Sequence, residues 1–324
     1  MKTLKYLLLA MAVMMLGLAS CVKDLDFDGE QTDPLLVVNG VQQVGQPARL
    51  SVEKSKFFLD AGTDFRVKDV AVDLYVNGAF KESLQVRDSI MCDIFYEINE
   101  YGEEIEVQEP IYAFNYCEGQ YLLCEGDHLR FEVHSSEFET ATIELNLPEA
   151  PTVLSFDMVG VDSVESGIKF SFMIDDPAGA DYYNLKCINP NGSMYSFYSE
   201  DPVFVDPMGL GAEELVGESG YYGYGLYNVF TDTYFNGKPY TVYFEVFSGE
   251  YVSGEQFTIE VSRVDESLYQ YKKTYDAYQE SDPNGMIGMF SEPVQVYSNV
   301  ENAVGVVCAQ SKPVVKTIVL NKEK

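Results

Sequence analysis

The 324-residue chain carries 52 Asp or Glu against 21 Lys or Arg, a formal charge of −31, yet 46% of it is hydrophobic. A charge so negative argues against nucleic acid or anionic lipid head groups as partners of the folded part. The hydrophobic content excludes a disordered chain, and 24 Tyr with no Trp suit β-sheet surfaces and contact loops better than helical bundles.

The N-terminus has the three parts of a secretory signal over residues 1–20. Lys2 and Lys5 form the basic region, and Tyr6 to Leu18 is an apolar run shorter than the roughly 20 residues of a spanning helix. Ala19-Ser20 before Cys21 turns it into a lipobox, which resembles the signal of bacterial lipoproteins. That resemblance implies cleavage before Cys21, acylation of Cys21 and anchorage in a membrane through the lipid; an ordinary signal peptide with a chance cysteine is the alternative. Loss of the signal leaves 19 basic residues against 52 acidic ones, a charge of −33. Residues 21–34 then read as an acidic tether. Asp24-Leu25-Asp26-Phe27-Asp28-Gly29 imitates the start of a calcium loop, but the twelfth position is Leu35 where a bidentate Glu is needed.

Alternation with period two dominates the rest. The expected fold is mainly β, as two tandem immunoglobulin- or fibronectin-III-like β-sandwiches with one C-terminal helix and terminal strands. The first sandwich spans 35–147. Leu35 to Gly40 reads as a short apolar strand ending in a turn. Val70, Val72, Leu74 and Val76 form one face of a strand that runs into Asn77-Gly78, the strongest two-residue hairpin signal. Leu129, Phe131 and Val133, and then Ile143, Leu145 and Leu147, repeat the alternation. Asp88 to Glu109 is an acidic insertion, either a long loop or an excursion hairpin.

Pro148-Glu149-Ala150-Pro151 blocks helix and sheet, so 148–152 is the expected linker and 153–264 the second sandwich. Its strands are marked by Ile168, Phe170, Phe172 and Ile174; by Tyr183, Leu185 and Cys187; by Tyr240, Val242, Phe244 and Val246; and by Phe257, Ile259 and Val261. Gly237 to Tyr240 suits a tyrosine near a sheet corner. The excursion 189–237 interleaves glycine with rings, including Tyr221, Tyr222, Tyr224, Tyr227, Tyr234 and Phe235. Adaptable backbone plus rigid amphipathic area is the chemistry of contact surfaces, which makes these six the candidate ligand or partner contacts; rings folded back on the sandwich are the alternative. In 265–324, Asp265 caps a helix with Leu268, Tyr271, Tyr275 and Tyr278 on one face, read as a packing stripe. Ser281 to Gly285 stops it, and strands follow at Val294–Tyr297 and Val304–Val307.

Catalytic sets are missing. His128 and His134 lie six apart on one strand, about 20 Å, too far to share a metal. No Gly-x-Ser-x-Gly elbow, phosphate-binding glycine loop or CxxC pair occurs. Asp175, Asp176 and Asp181 form the densest carboxylate group, which turn chemistry in Asp-Asp-Pro-Ala-Gly explains. No enzyme activity, metal or cofactor is expected. Beyond Cys21 five cysteines remain, so at least one thiol stays unpaired within the chain. Cys117 and Cys124 either face each other across a hairpin as a disulfide or stay free.

Three segments together carry a wider resemblance: the lipobox with Leu35–Gly40, Val229 to Tyr240, and Val296 to Gly305. They resemble the Bacteroidetes lipoproteins gathered as domain-of-unknown-function 4249. In the last segment that family favours Asn-Ile before paired glycines, where this chain has Asn302-Ala303. The resemblance implies an outer-membrane lipoprotein, often associated with TonB-dependent transporters, with no ligand residues to carry over. The acidic residues after Cys21 also resemble a surface-export signal. A surface-facing accessory protein of such a transporter in nutrient uptake is the expected function, and an adhesive or pilus-related module the alternative.

Overall fold

The computed structural model describes residues 32–57, 60, 62–98, 104–162, 167–204, 220–223, 227–247, 254–280 and 294–320. Cys21, the tether up to residue 31, Tyr224 and the 281–285 stop lie outside them. The first half supplies β1 (Leu36–Gln43), β2 (Pro47–Lys54), β3 (Ala71–Val76), β4 (Ala79–Ser83), β5 (Gln85–Ile98), β6 (Glu104–Leu122), β7 (His128–His134) and β8 (Ala141–Asn146). The second supplies β9 (Thr152–Asp162), β10 (Gly167–Asp175), β11 (Tyr182–Ile188), β12 (Phe197–Ser199), β13 (Tyr221–Gly223), β14 (Val229–Thr231), β15 (Pro239–Phe247) and β16 (Gln256–Val264). Helix α1 (Glu266–Glu280), β17 (Val307–Gln310) and β18 (Val314–Val319) follow. The protein is mainly β, with one helix among the described residues.

Alternation forms these strands because each residue pointing inward is apolar. Val72, Leu74 and Val76 of β3, and Leu129, Phe131 and Val133 of β7, are all buried. Asn77 and Gly78 close the β3–β4 hairpin with φ of 52° and 81°, as a type I′ turn requires. The four-stranded sheet β4-β3-β7-β8 packs this face on β1 and β2, and Leu36, Val38, Leu50 and Val52 complete an aliphatic core. The acidic insertion is the hairpin, not the loop: β5 and β6 pair from Gln85↔Glu118 out to Ile98↔Glu104.

The second core lies between the five-stranded sheet β13-β12-β15-β10-β9 and strands β11, β14 and β16. It is largely aromatic. Phe170 stacks on Phe244 at 5.7 Å, Tyr183 on Phe230 at 5.4 Å, and Phe197 meets Phe244 edge-on at 5.5 Å.

The two cores share one sheet. Its order is β14-β11-β16-β17-β1-β2-β6-β5, with β18 on β16, so strands of the second half lie on one side of β17 and strands of the first half on the other. That strand runs parallel to Gly40–Gln43 of β1 and meets β16 at Val264↔Gln310. Strand β1 therefore continues past Gly40, where a turn was expected: its first half pairs with β2 and its second with β17. Side-chain amides guide the junction. Asn299 Oδ1 accepts from Val307 N at 3.0 Å, its Nδ2 donates to Val307 O at 2.7 Å, and Asn39 Oδ1 accepts from Val306 N. Pro34–Lys324 forms one compact unit, with Pro148–Pro151 crossing between the sheets as a short linker and Thr152 already opening β9.

Several expectations change with the topology. Val294–Tyr297 is not a strand, since Tyr297 N donates to Thr274 Oγ1 of the helix at 2.9 Å rather than to a ladder. Strand β17 starts at Val307 rather than Val304. Asp265 does cap α1, accepting from Leu268 N at 3.1 Å, but the stripe is only half used. Leu268 is fully buried while Tyr275 and Tyr278 are exposed, because the helix covers the small core of Val229, Val264, Leu268, Val306 and Cys308 where the halves meet. The disulfide is absent: Cys117 and Cys124 are both free, the first buried and the second exposed. Glu118-Gly119-Gln120 continues β6 instead of turning. Seven residues of extended chain put the two thiols roughly 20 Å apart, far beyond disulfide reach.

Candidate functional site

The excursion 189–237 is built into both sheets of the second core. It contributes β12 and β13 to one and β14 to the other, and this distributes its rings. Phe235 is buried, stacking on Tyr240 at 4.8 Å, and Tyr221 lies over Phe204 at 5.1 Å. Both are thereby spent on packing, a correction to their reading as contact residues. Tyr227 lines a cleft with Tyr116, Tyr271 and Arg49 at the junction of the halves, and burial pushes its hydroxyl up to about 12. Tyr234 is exposed. Tyr222 is exposed as well and packs on Tyr198 at 4.9 Å. The glycines of this stretch make room for rings: a Cβ at Gly220 would fall 2.2 Å from the Tyr198 ring, and one at Gly223 2.3 Å from Phe197.

Tyr198 leads to the site. On the outer face of the five-stranded sheet it walls an open cavity of about 660 Å³ with Val159, Lys169, Glu200, Tyr243 and Glu245. Odd positions of β15 point outward, so Tyr243 is 54% exposed while its neighbours Val242 and Phe244 are buried. The floor is held by Asp201, which is buried and accepts from Tyr240 OH at 2.9 Å, Tyr243 N at 3.1 Å and Val203 N at 3.2 Å. Burial, followed by this hydrogen bond, pushes the Tyr240 hydroxyl up to about 12, so it stays a neutral donor. Tyr240 is thus a corner tyrosine of a different kind, tied to a carboxylate 39 residues upstream rather than to nearby backbone. Ser199 Oγ donates to Tyr243 O at 2.6 Å and fixes β12 against β15.

One wall is charged. Lys169 Nζ lies 3.6 Å from Glu245 Oε2, and Glu245 Oε1 is enclosed without a hydrogen-bond partner. That oxygen is packed against Gly167, so the polar group this wall offers a ligand is the half-exposed Lys169 ammonium. Rigid tyrosine faces beside one cation and one anion make a surface for binding polar molecules with flat apolar faces. Tyr243, Lys169 and Glu245 escaped the sequence reading, and Tyr198 was a ring of the excursion but not one of its candidate contacts. Their alternation was visible, but which face of β10 and β15 looked outward depended on the facing sheet.

The histidines stay apart. His128 and His134 occupy the two ends of β7; His134 Nδ1 lies 3.0 Å from Thr140 Oγ1, and His128 faces Glu144.

The family described as "Domain of unknown function (DUF4249)" matches residues 22–313. The chain belongs to that family. No curated protein matches it. Among solved structures, a crystal structure of bovine butyrophilin is similar at 10% identity and a TM-score of 0.17, over 70% of this chain and 91% of that one.

Proposed function

We propose that this chain is a lipid-anchored binding protein of the cell envelope, held in the outer membrane through Cys21 and facing outward as an accessory subunit of a TonB-dependent transporter in nutrient uptake. The observation that carries the reading is the open, tyrosine-walled cavity over β10 and β15 with Lys169 and Glu245 at its side. Such a wall recognises ligands by stacking and by a few placed polar groups. The lipobox and acidic tether support the location, and the charge of the chain supports domains that stand off anionic lipid. The experiment is solubilisation of native membranes and affinity capture of the protein. A co-purifying transporter is expected, retained less by a Tyr198→Ser/Tyr243→Ser variant that melts like the wild type. Capture of the protein without a transporter overturns the reading, and polymer ladders in place of a discrete complex favour an adhesive role. Cys21→Ala should release the folded protein from membranes.

A further inference from the structure

Carboxylates from three strand ends converge at one end of the second sandwich. Asp176 follows β10, Asp181 precedes β11 and Asp232 follows β14, so both sheets contribute. One oxygen from each lies within 4.8 Å of the others. Two oxygens that each sit about 2.4 Å from one ion can be at most about 4.8 Å apart, so this spacing is within a calcium ion's span. Turn chemistry accounts for Asp176 and Asp181, seven and two residues before Tyr183 in one connection, but not for Asp232, which arrives from another strand.

The three carboxylates are not equally satisfied. Asp176 accepts from Tyr183 OH at Oδ1 and from Gly237 N at Oδ2, 2.8 Å, leaving a lone pair on each oxygen. Asp181 Oδ1 stands 3.1 Å from Arg263 Nε of β16. Asp232 is 4% exposed, and its Oδ2 is fully enclosed with no hydrogen-bond partner. Its Oδ1 lies 3.4 Å from Thr231 Oγ1, and the Asp181 backbone N–H also donates to this carboxylate. An ionised oxygen buried without a donor is costly. Three carboxylates against one guanidinium also leave two negative charges in a largely buried space.

We propose that Asp176, Asp181 and Asp232 form a divalent-cation site of calcium type that clamps the ends of β10, β11 and β14. A hard dication supplies the charge that Arg263 leaves unmatched and the partner that Asp232 Oδ2 lacks. Burial pushes the carboxyls of Asp181 and Asp232 up; the charge of Asp176 adds to this at both and that of Asp181 at Asp232, while Arg263 offsets part of it at Asp181. A bound cation reverses that direction. Magnesium, with shorter bonds and a stricter octahedron, fits less well.

The test uses the mature chain stripped with a chelator, near neutral pH. About 2 mM calcium, above the affinity range of extracellular calcium modules, should raise Tm by about 3 °C or more, and the same concentration of magnesium clearly less. Terbium should give tyrosine-sensitised luminescence that calcium displaces, read without interference since the chain has no Trp. Asp232→Asn should abolish both signals while the cation-free protein melts no lower than the wild type. Asp157→Asn, at an exposed carboxylate of β9, should keep them and so separate the site from general screening of a very acidic chain. If Asp232→Asn does not fold, Asp181→Asn makes the same comparison. The proposal is overturned if calcium moves neither signal, if the variants respond like the wild type, or if acidification alone stabilises the protein while calcium does nothing, which would mean that shared protons hold the cluster.

Discussion

The two cores of this protein solve the same packing problem with different side chains. Among the described residues the first is filled by Leu, Val, Ile and Ala with Cys117 and one fully buried ring, Phe131, whereas the second holds Phe170, Phe172, Phe197, Phe204, Phe230, Phe235, Phe244, Phe257 and Tyr183. Aliphatic side chains bring no polar atoms of their own, and the buried Gln42, Glu53, Asn115 and Asp127 of the first half lie outside its apolar cluster. Large rings leave irregular edges and, in tyrosine, hydroxyls that need partners. The second half accordingly buries Asp176, Asp201, Asn228 and Asp232 at its strand ends, and both the tyrosine-walled cavity and the acidic cluster lie there. The difference lies in the side chains that fill each core, and the two sites proposed for this protein border the aromatic one. The two halves are nevertheless not independent, since Val307 and Ala309 of β17 belong to the first core and Leu320 to the second.

The largest effect should come from breaking that sharing. Val307 is fully buried, and Val307→Asp would place an unpaired carboxylate there at a cost of about 4 kcal/mol or more. Urea titration followed by hydrogen exchange should show both cores losing protection together; an unchanged first core would break the picture of a shared strand. Next, Phe172→Ala should cost about 3–5 kcal/mol, against about 0.5–1.5 kcal/mol for Ile143→Val in the aliphatic core. A double-mutant cycle of Phe172 with Phe244, whose rings meet edge-on at 6.1 Å, should reveal a coupling of about 0.5–1.5 kcal/mol.

A smaller effect tests the helix over the junction. Burial raises the Asp265 carboxyl from 3.8 to about 6. The folded state then holds this proton more tightly than the unfolded chain does. The stabilisation it brings is complete below about 3.8 and is lost as pH rises to about 6. Asp265→Asn keeps the cap and should remove that dependence, gaining on the order of 2 kcal/mol above the window; melts of both proteins between about pH 4 and pH 7 read the difference. Smallest of all, Cys124→Ser at an exposed free thiol should change stability by less than about 0.5 kcal/mol. In the native wild type Cys124 should react promptly with a thiol reagent. Cys117 and Cys187 should resist it, since burial pushes both thiols up to about 12.

Much of the fold was legible because a half-buried strand writes its own alternation. Val72 to Val76, Leu129 to Val133, Ile168 to Ile174 and Phe257 to Val261 all bury the residues that the pattern selects. Asn77-Gly78 and the Asp265 cap were legible for a similar reason, being local backbone chemistry. The aromatic excursion stood out by its composition, yet composition could not say which ring turns inward. Tyr221 and Phe235 pack, Tyr222 faces outward on Tyr198, and Tyr227 lines the junction. The Cys117–Cys124 hairpin failed because Glu118-Gly119-Gln120 has turn composition but continues β6, with Glu118 paired to β2 and β5 and the Gln120 N–H donated to the Glu82 carboxylate.

The sequence by itself determined the alternating core strands, which of their residues turn inward, and the cap of the helix, because these follow from neighbours within a few residues. Only the tertiary structure decided that β17 joins β1 to β16, that Tyr198, Tyr243, Lys169 and Glu245 share one wall, and that Asp232 meets Asp176 and Asp181. Those groupings join residues tens to hundreds of positions apart. What brings them together is which sheet faces which, and that is set by the filling of two cores rather than by any local pattern.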